Sequence, residues 1–96
     1  MNYYKRHLGD YAKDTGHLSA LEHGVYTLLL DWYYVNEKPI PKTLAVRIAR
    51  GNPDETKAVL SEFFKETPDG WIHSYADRLI EEYNAKAERN RASGVM

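Results

Sequence analysis

Between His17 and Tyr34 the chain carries a helix-forming run that is apolar on two sides. Leu18, Leu21, Val25, Leu28, Leu29 and Trp32 recur at three- and four-residue steps, the spacing of one helical face. Tyr26, Leu30 and Tyr34 form a second stripe at i, i+4 and i+8. A surface helix shows a single apolar side, so a helix with two is covered twice. Ser19 with Glu22 is a capping-box pattern and starts the helix near Ser19. The expected arrangement is a central helix with the core beneath it and a second segment laid across its back. Leu21, Leu28, Trp32, Ile48, Leu60, Phe63, Trp71 and Leu79 are the expected core, and Tyr3, Tyr4 or Tyr11 the expected cover for the second stripe. If that stripe stays uncovered, Tyr26, Leu30 and Tyr34 become a partner-binding or self-association patch.

The remaining elements follow from punctuation. Residues 2 to 16 read as an extended piece and a helical turn. Glu37-Lys38-Pro39-Ile40-Pro41 is a loop, because proline forces the residue before it out of the α region. Leu44, Ala45, Ile48 and Ala49 mark a short helix, and Gly51 is placed at its C′ position. Asn52-Pro53-Asp54-Glu55 starts a third helix with an N-cap, a proline at N1 and acids in the positive first turn. Thr67-Pro68-Asp69-Gly70 between two apolar pairs, Phe63-Phe64 and Trp71-Ile72, predicts a β-hairpin. Ser74 and Asp77 can cap a last helix whose apolar side is Ala76, Leu79, Ile80, Tyr83 and Ala87. Ala92 onward reads as a frayed tail. The fold class is mainly α with a small hairpin: a winged helix-turn-helix with an extra C-terminal helix, one domain over residues 1–92 and a tail over 93–96.

Composition narrows the function. The 96 residues are enough to bury one core without metals or crosslinks. There is no cysteine, so thiolate and disulfide chemistry are absent. Thirteen basic against fourteen acidic residues leave a net charge of −1, so any nucleic-acid contact must use a local patch. No apolar run is long enough to span a bilayer, and the first residues lack a signal-peptide core. No membrane partner is expected, and the cytoplasm is the expected location.

His7-Leu8-Gly9-Asp10-Tyr11, Asp14-Thr15-Gly16-His17-Leu18-Ser19 and Leu21-Glu22-His23-Gly24-Val25-Tyr26 resemble the opening of the YdaU-like, prophage-encoded family of unknown function. Leu29-Leu30-Asp31, Tyr33-Tyr34, Glu37-Lys38-Pro39-Ile40-Pro41, Phe63-Phe64 and Asp69-Gly70-Trp71 continue the resemblance over roughly residues 2–91. That family is similar to the N-terminal winged-helix domains of phage replisome organisers and replication initiators. The resemblance implies a role in DNA replication initiation, with a replicative helicase or helicase loader as a possible partner. Its members often continue into a basic, glycine-rich linker after an Asn-Arg stretch. Here Arg89-Asn90-Arg91 leads only to Met96, so no second region for a helicase or loader is expected within these residues.

No catalytic, metal or cofactor site is expected. His7, His17, His23 and His73 show no i, i+4 histidine pair on a predicted helix, and no nucleophile elbow, phosphate loop or paired-carboxylate pattern is present. Asp10, Asp14, Thr15 and His17 read as backbone-bonding groups in the turn before the central helix. Weak, sequence-tolerant binding of double-stranded DNA is the expected function. The second helix of such a pair enters the major groove. Its outward side carries Lys57, Ser61 and Lys65, but also Asp54, Glu55 and Glu62, and no arginine to read guanine. The preceding helix is better furnished. Thr43, Arg47 and Arg50 are spaced i, i+4, i+7, with Lys42 at its entrance and no acid among them. The alternative is a protein-interaction or oligomerisation module, such as a homodimer, without DNA binding.

Overall fold

A computed structural model of the chain describes residues 13 to 94, with residues 90 to 94 described by backbone alone. The chain is mainly helical with a small antiparallel sheet of two strands. After a helical turn ending at Thr15 come α1 (Ala20–Asn36), α2 (Ala45–Ile48), α3 (Pro53–Phe63), β1 (Lys65–Thr67), β2 (Gly70–Ile72) and α4 (Ser74–Gly94).

Helix α1 begins where the capping box places it. The Ser19 N–H donates to Glu22 Oε1 at 2.8 Å, and the Glu22 N–H donates to Ser19 Oγ at 3.1 Å. The backbone and hydroxyl of Ser19 hold the Glu22 carboxyl below its ordinary pKa. The helix ends at Glu37, which turns left-handed (φ 52°) and donates its N–H to the Tyr33 carbonyl at 2.8 Å.

The buried side of α1 lies between the two expected stripes, taking Val25 and Leu29 from the first and Tyr26, Leu30 and Tyr34 from the second. Val25, Tyr26, Leu29, Leu30, Tyr33 and Tyr34 are buried, whereas Leu21 is 48% exposed. Leu28 and Trp32 are half-buried. The aromatic side makes the core because aromatic partners meet it there. Tyr26 stacks on Phe63 at 4.5 Å between centroids and meets Phe64 edge-on, and Tyr33 meets the edge of Phe64. Tyr3, Tyr4 and Tyr11 lie outside the described residues. Of the other expected core residues, Leu60 is buried, while Ile48, Phe63, Trp71 and Leu79 are half-buried around its margin. Ile40, Ala45, Ala49, Val59, Phe64, Ala76 and Ile80 complete the core.

Helix α2 is a single turn. It ends in a Schellman pair: the Arg50 N–H bonds the Arg47 carbonyl at 3.0 Å, and the Gly51 N–H bonds the Val46 carbonyl at 2.8 Å. The C′ residue is therefore Arg50 (φ 60°), and the glycine expected there, Gly51 (φ 79°), follows it. Asn52 occupies the N-cap of α3, but its side chain turns back and donates to the Ala49 carbonyl at 2.8 Å. Thr56, buried in α3, donates its hydroxyl to the Asn52 carbonyl at 2.6 Å.

The hairpin turns at Pro68-Asp69 and pairs Lys65 with Ile72, Glu66 with Trp71 and Thr67 with Gly70. Ile40 adds a one-residue bridge. Its N–H and carbonyl exchange bonds with Trp71 at 2.8 and 2.9 Å. Gly70 (φ 133°) permits this approach, because a Cβ there would overlap the Ile40 carbonyl. A lone bridging residue has no alternation to read, so the 36–41 stretch shows no strand pattern in sequence.

The cap of α4 is His73, one residue before the expected Ser74. Its Nδ1 accepts the Ala76 N–H at 3.1 Å, and its carbonyl accepts the Asp77 N–H at 2.9 Å. The same buried ring bonds the Tyr26 hydroxyl through Nε2 at 2.9 Å, and the Tyr33 hydroxyl donates to Asp77. The helix continues to Gly94, past the Ala92 end expected from sequence.

These contacts make two predictions. Leu29→Ala should cost about 2–5 kcal/mol in urea unfolding, and Leu21→Ala should stay within about 0.5 kcal/mol of the parent. The reverse order would move the core to the Leu21 edge of the first stripe. For His73, burial holds the pKa below the ordinary 6.5, with Asp77 pulling the other way. The unfolded chain then binds the proton more readily than the folded one. Its contribution to stability is complete above pH 6.5 and is lost as pH falls through the lowered folded value. His73→Asn keeps a capping oxygen without a titrating ring, so it should remove this part of the acid-side slope. An unchanged urea midpoint for the parent between about pH 7.5 and about pH 5.5 would contradict it.

Candidate nucleic-acid interface

The residues expected to touch DNA fall on three pieces around one edge. Lys42 and Thr43 sit in the turn before α2, Arg47 on α2, and Arg50 just after it. Lys57 and Ser61 lie on α3, and Lys65 opens β1. All seven are exposed. They do not share the expected helical side. A common face for Thr43, Arg47 and Arg50 needs a helix over 43–50, and α2 covers only Ala45–Ile48. A Leu44 N–H to Pro41 carbonyl turn (2.9 Å) precedes it, and the Schellman pair closes it.

Lys42, Lys57 and Ser61 come together around an open groove of about 220 Å³ whose apolar walls include Val46, Leu60 and Trp71. Thr43, Arg47, Arg50 and Lys65 do not line it. Leu60 and Trp71, both expected in the core from sequence, wall this groove as well as packing in or against the core. The strand Gly70–Ile72 is too short for alternation to reveal which way its side chains point.

The local electrostatics are more favourable than the count of acids implies. Glu62 pairs with His17, across from the turn before α1. Glu66 pairs with Lys42 at 3.2 Å, tying β1 to the start of α2. Among the described residues no ion pair holds Arg47, Arg50 or Lys57. Asp54 and Glu55 remain at the α3 N-terminus, where they suit the helix dipole. Arg50 is also a non-glycine residue held left-handed, a backbone cost carried beside this edge.

The other sequence candidates resolve differently. Tyr26, Leu30 and Tyr34 are buried, so they are no surface patch for a partner. Phe63, Phe64 and His73 surround Tyr26. His17, expected to bond its own turn, reaches Glu62 on α3 instead. Among the described residues no three His, Asp or Glu side chains are grouped to hold a metal, and no helix is long and apolar enough to cross a membrane.

Residues 2–81 match the family described as Protein of unknown function (DUF1376), and the chain belongs to that family. It is also similar to the uncharacterized protein YdaU of Escherichia coli (strain K12), with 35% identity over 95 residues. That alignment covers 96% of this chain and 33% of YdaU, so the chain spans about a third of its relative's length. No solved structure matches.

The left-handed Arg50 separates stability from charge. Arg50→Gly should leave the fold as stable or stabilise it by up to about 1 kcal/mol, while weakening any duplex binding. Urea unfolding and fluorescence anisotropy on one preparation check both. A loss of stability would mean that the arginine side chain holds the turn.

Proposed function

We propose that this chain is a non-enzymatic, winged-helix-like module that holds double-stranded DNA by its phosphates, in the setting of phage or prophage replication initiation. One observation carries the DNA reading. Arg47, Arg50 and Lys57 surround the α2–turn–α3 edge without an ion pair among the described residues, while the neighbouring Glu62 and Glu66 are engaged by His17 and Lys42. Helix–turn–helix followed by a hairpin is the element order of a winged helix, and the Ile40 bridge supplies a minimal third strand.

On this reading α3 faces the major groove and the cations position the duplex. Phosphate contacts fix register without carrying sequence information. Lys57, Ser61 and Lys65 offer few base-reading donors, and there is no arginine fork on α3. Binding is therefore weak and sequence-tolerant. The replication setting, and a helicase or loader as further partner, rest on the resemblance to replisome organisers and initiators.

A salt-titrated anisotropy assay with unrelated duplexes tests the proposal. Affinity should be similar for all of them and fall steeply with salt, as neutralised phosphates release counterions. Arg47→Glu with Arg50→Glu should abolish binding and leave the melting curve intact. Arg78→Glu, on α4 with its guanidinium 5.3 Å from the Tyr75 ring, should bind like the parent. Absence of binding to any duplex at low salt would overturn the proposal in favour of an interaction module. That second reading has its own support in exposed apolar residues on α1, Leu21 and Val35.

A further inference from the structure

We propose that the groove beside α2 and α3 seats one unpaired base of single-stranded DNA, with the phosphates flanking that base held by Lys42 and Lys57. The proposal rests on reading this edge as a nucleic-acid interface, and it names the form of DNA that the groove itself takes. The groove joins two chemistries. Its charged lining residues are both lysines, Lys42 from the turn before α2 and Lys57 from α3. Its apolar walls come from Val46 on α2, Leu60 on α3 and Trp71 on β2. A ligand that matches both is anionic and carries an apolar face. A duplex meets only the first condition, because its bases are stacked and it offers phosphates, sugars and base edges. An unpaired nucleotide meets both. Every base has a π-face, and single-strand sites combine an aromatic platform for it with a positively charged groove for the backbone.

The groove has the size and rigidity for this ligand. An apolar cavity of about 150 Å³ admits a benzene ring, so one of about 220 Å³ takes a single base rather than a stacked run. Its walls are anchored. Trp71 exchanges both backbone bonds with Ile40, at 2.8 and 2.9 Å, and Leu60 is buried in the core. Val46 is 39% exposed, so apolar surface reaches the mouth. Lys57 and Ser61 are one turn apart on α3 and share a side, which puts a hydroxyl for a base edge next to a cation for a phosphate. Among the described residues no ion pair holds Lys57. Lys42 pairs with Glu66 at 3.2 Å, yet its side chain is 48% exposed and can face a phosphate. Glu66 lies opposite Trp71 in the hairpin, so its carboxylate opposes an anion on this side.

Fluorescence anisotropy on the full chain at low salt tests the proposal with three labelled ligands of about 12 nucleotides, within the range of single-strand sites. They are an oligothymidylate, an abasic strand with the same phosphates, and a duplex. Oligothymidylate should bind about tenfold or more tightly than the abasic strand, the effect of one stacked base. Val46→Met enlarges an exposed wall residue without adding charge or an aromatic face. It should remove that difference and leave duplex affinity and the melting curve unchanged. Trp71→Leu should remove the difference too. Lys57→Ala should weaken both single strands alike, and Glu66→Gln should tighten both. Equal affinity for oligothymidylate and the abasic strand overturns the proposal, and leaves the duplex reading standing where the duplex binds. Base-dependent binding that survives Val46→Met also overturns it, by moving the base out of the groove. Base-dependent binding without duplex binding supports the groove site and removes the duplex reading instead. If no strand binds, and an acidic peptide carrying a leucine shifts the Trp71 indole N–H, the groove belongs to a protein segment and the proposal fails.

Discussion

One buried imidazole joins the two long helices. His73 closes the start of α4 with Nδ1 and its carbonyl, and reaches Tyr26 on α1 with Nε2. Because Nδ1 accepts the Ala76 N–H, it carries no proton, and in the neutral ring Nε2 is the N–H that faces the Tyr26 oxygen. Tyr33 fastens the same joint one turn on by donating to Asp77. Burial first, and the bond to Asp77 second, push the Tyr33 phenol well above its ordinary pKa. Polar groups buried in an apolar core are stabilising only when fully satisfied. No buried side-chain nitrogen or oxygen lacks a partner among the described residues.

The joint sets the direction in which the rest of the chain leaves the core. With Tyr26 and Tyr33 turned toward α4 and the Phe63-Phe64 pair, the opposite side of α1 faces outward. The hairpin runs from Phe64 to His73 and is pinned at Ile40 by Trp71, with Gly70 permitting the contact. That pin holds β1 close enough to the turn before α2 for Glu66 to pair with Lys42. The open groove, and the three cations around the α2–turn–α3 edge, are thus consequences of packing on the tyrosine side of one helix.

Much of this was legible in sequence. The capping box at Ser19, the end of α1 at Asn36, the Pro53 start of α3 and the Pro68-Asp69 turn each depend on local residue chemistry and lie where spacing puts them. What local pattern could not supply was where the core is centred on α1, between the two stripes, with Val25 and Leu29 of one buried beside Tyr26, Leu30 and Tyr34 of the other. Leu21, Leu28 and Trp32 have the spacing of a core, but Phe63, Phe64 and His73 converge from distant positions on Tyr26. The His73 cap was hidden because histidine is not a favoured N-cap and Ser74 beside it is. Arg50 at C′ was hidden for the same reason, with Gly51 adjacent. At the candidate interface the cations could be named from sequence. Their arrangement could not, because it depends on how short α2 is and on the ion pairs that occupy Glu62 and Glu66.

If duplex DNA rests on the α2–turn–α3 edge, the residues that sense it are fixed by this geometry. The most direct measurement is an NMR titration of the ¹⁵N-labelled chain with a short duplex at low salt. Backbone amides of Arg47, Arg50 and Lys57 and the Trp71 indole N–H should shift progressively, with smaller changes at Ser61 and Lys65. Leu21 and Val35, on the outer side of α1, should not respond to DNA. Shifts centred on α4, or none at saturating duplex, would contradict the account.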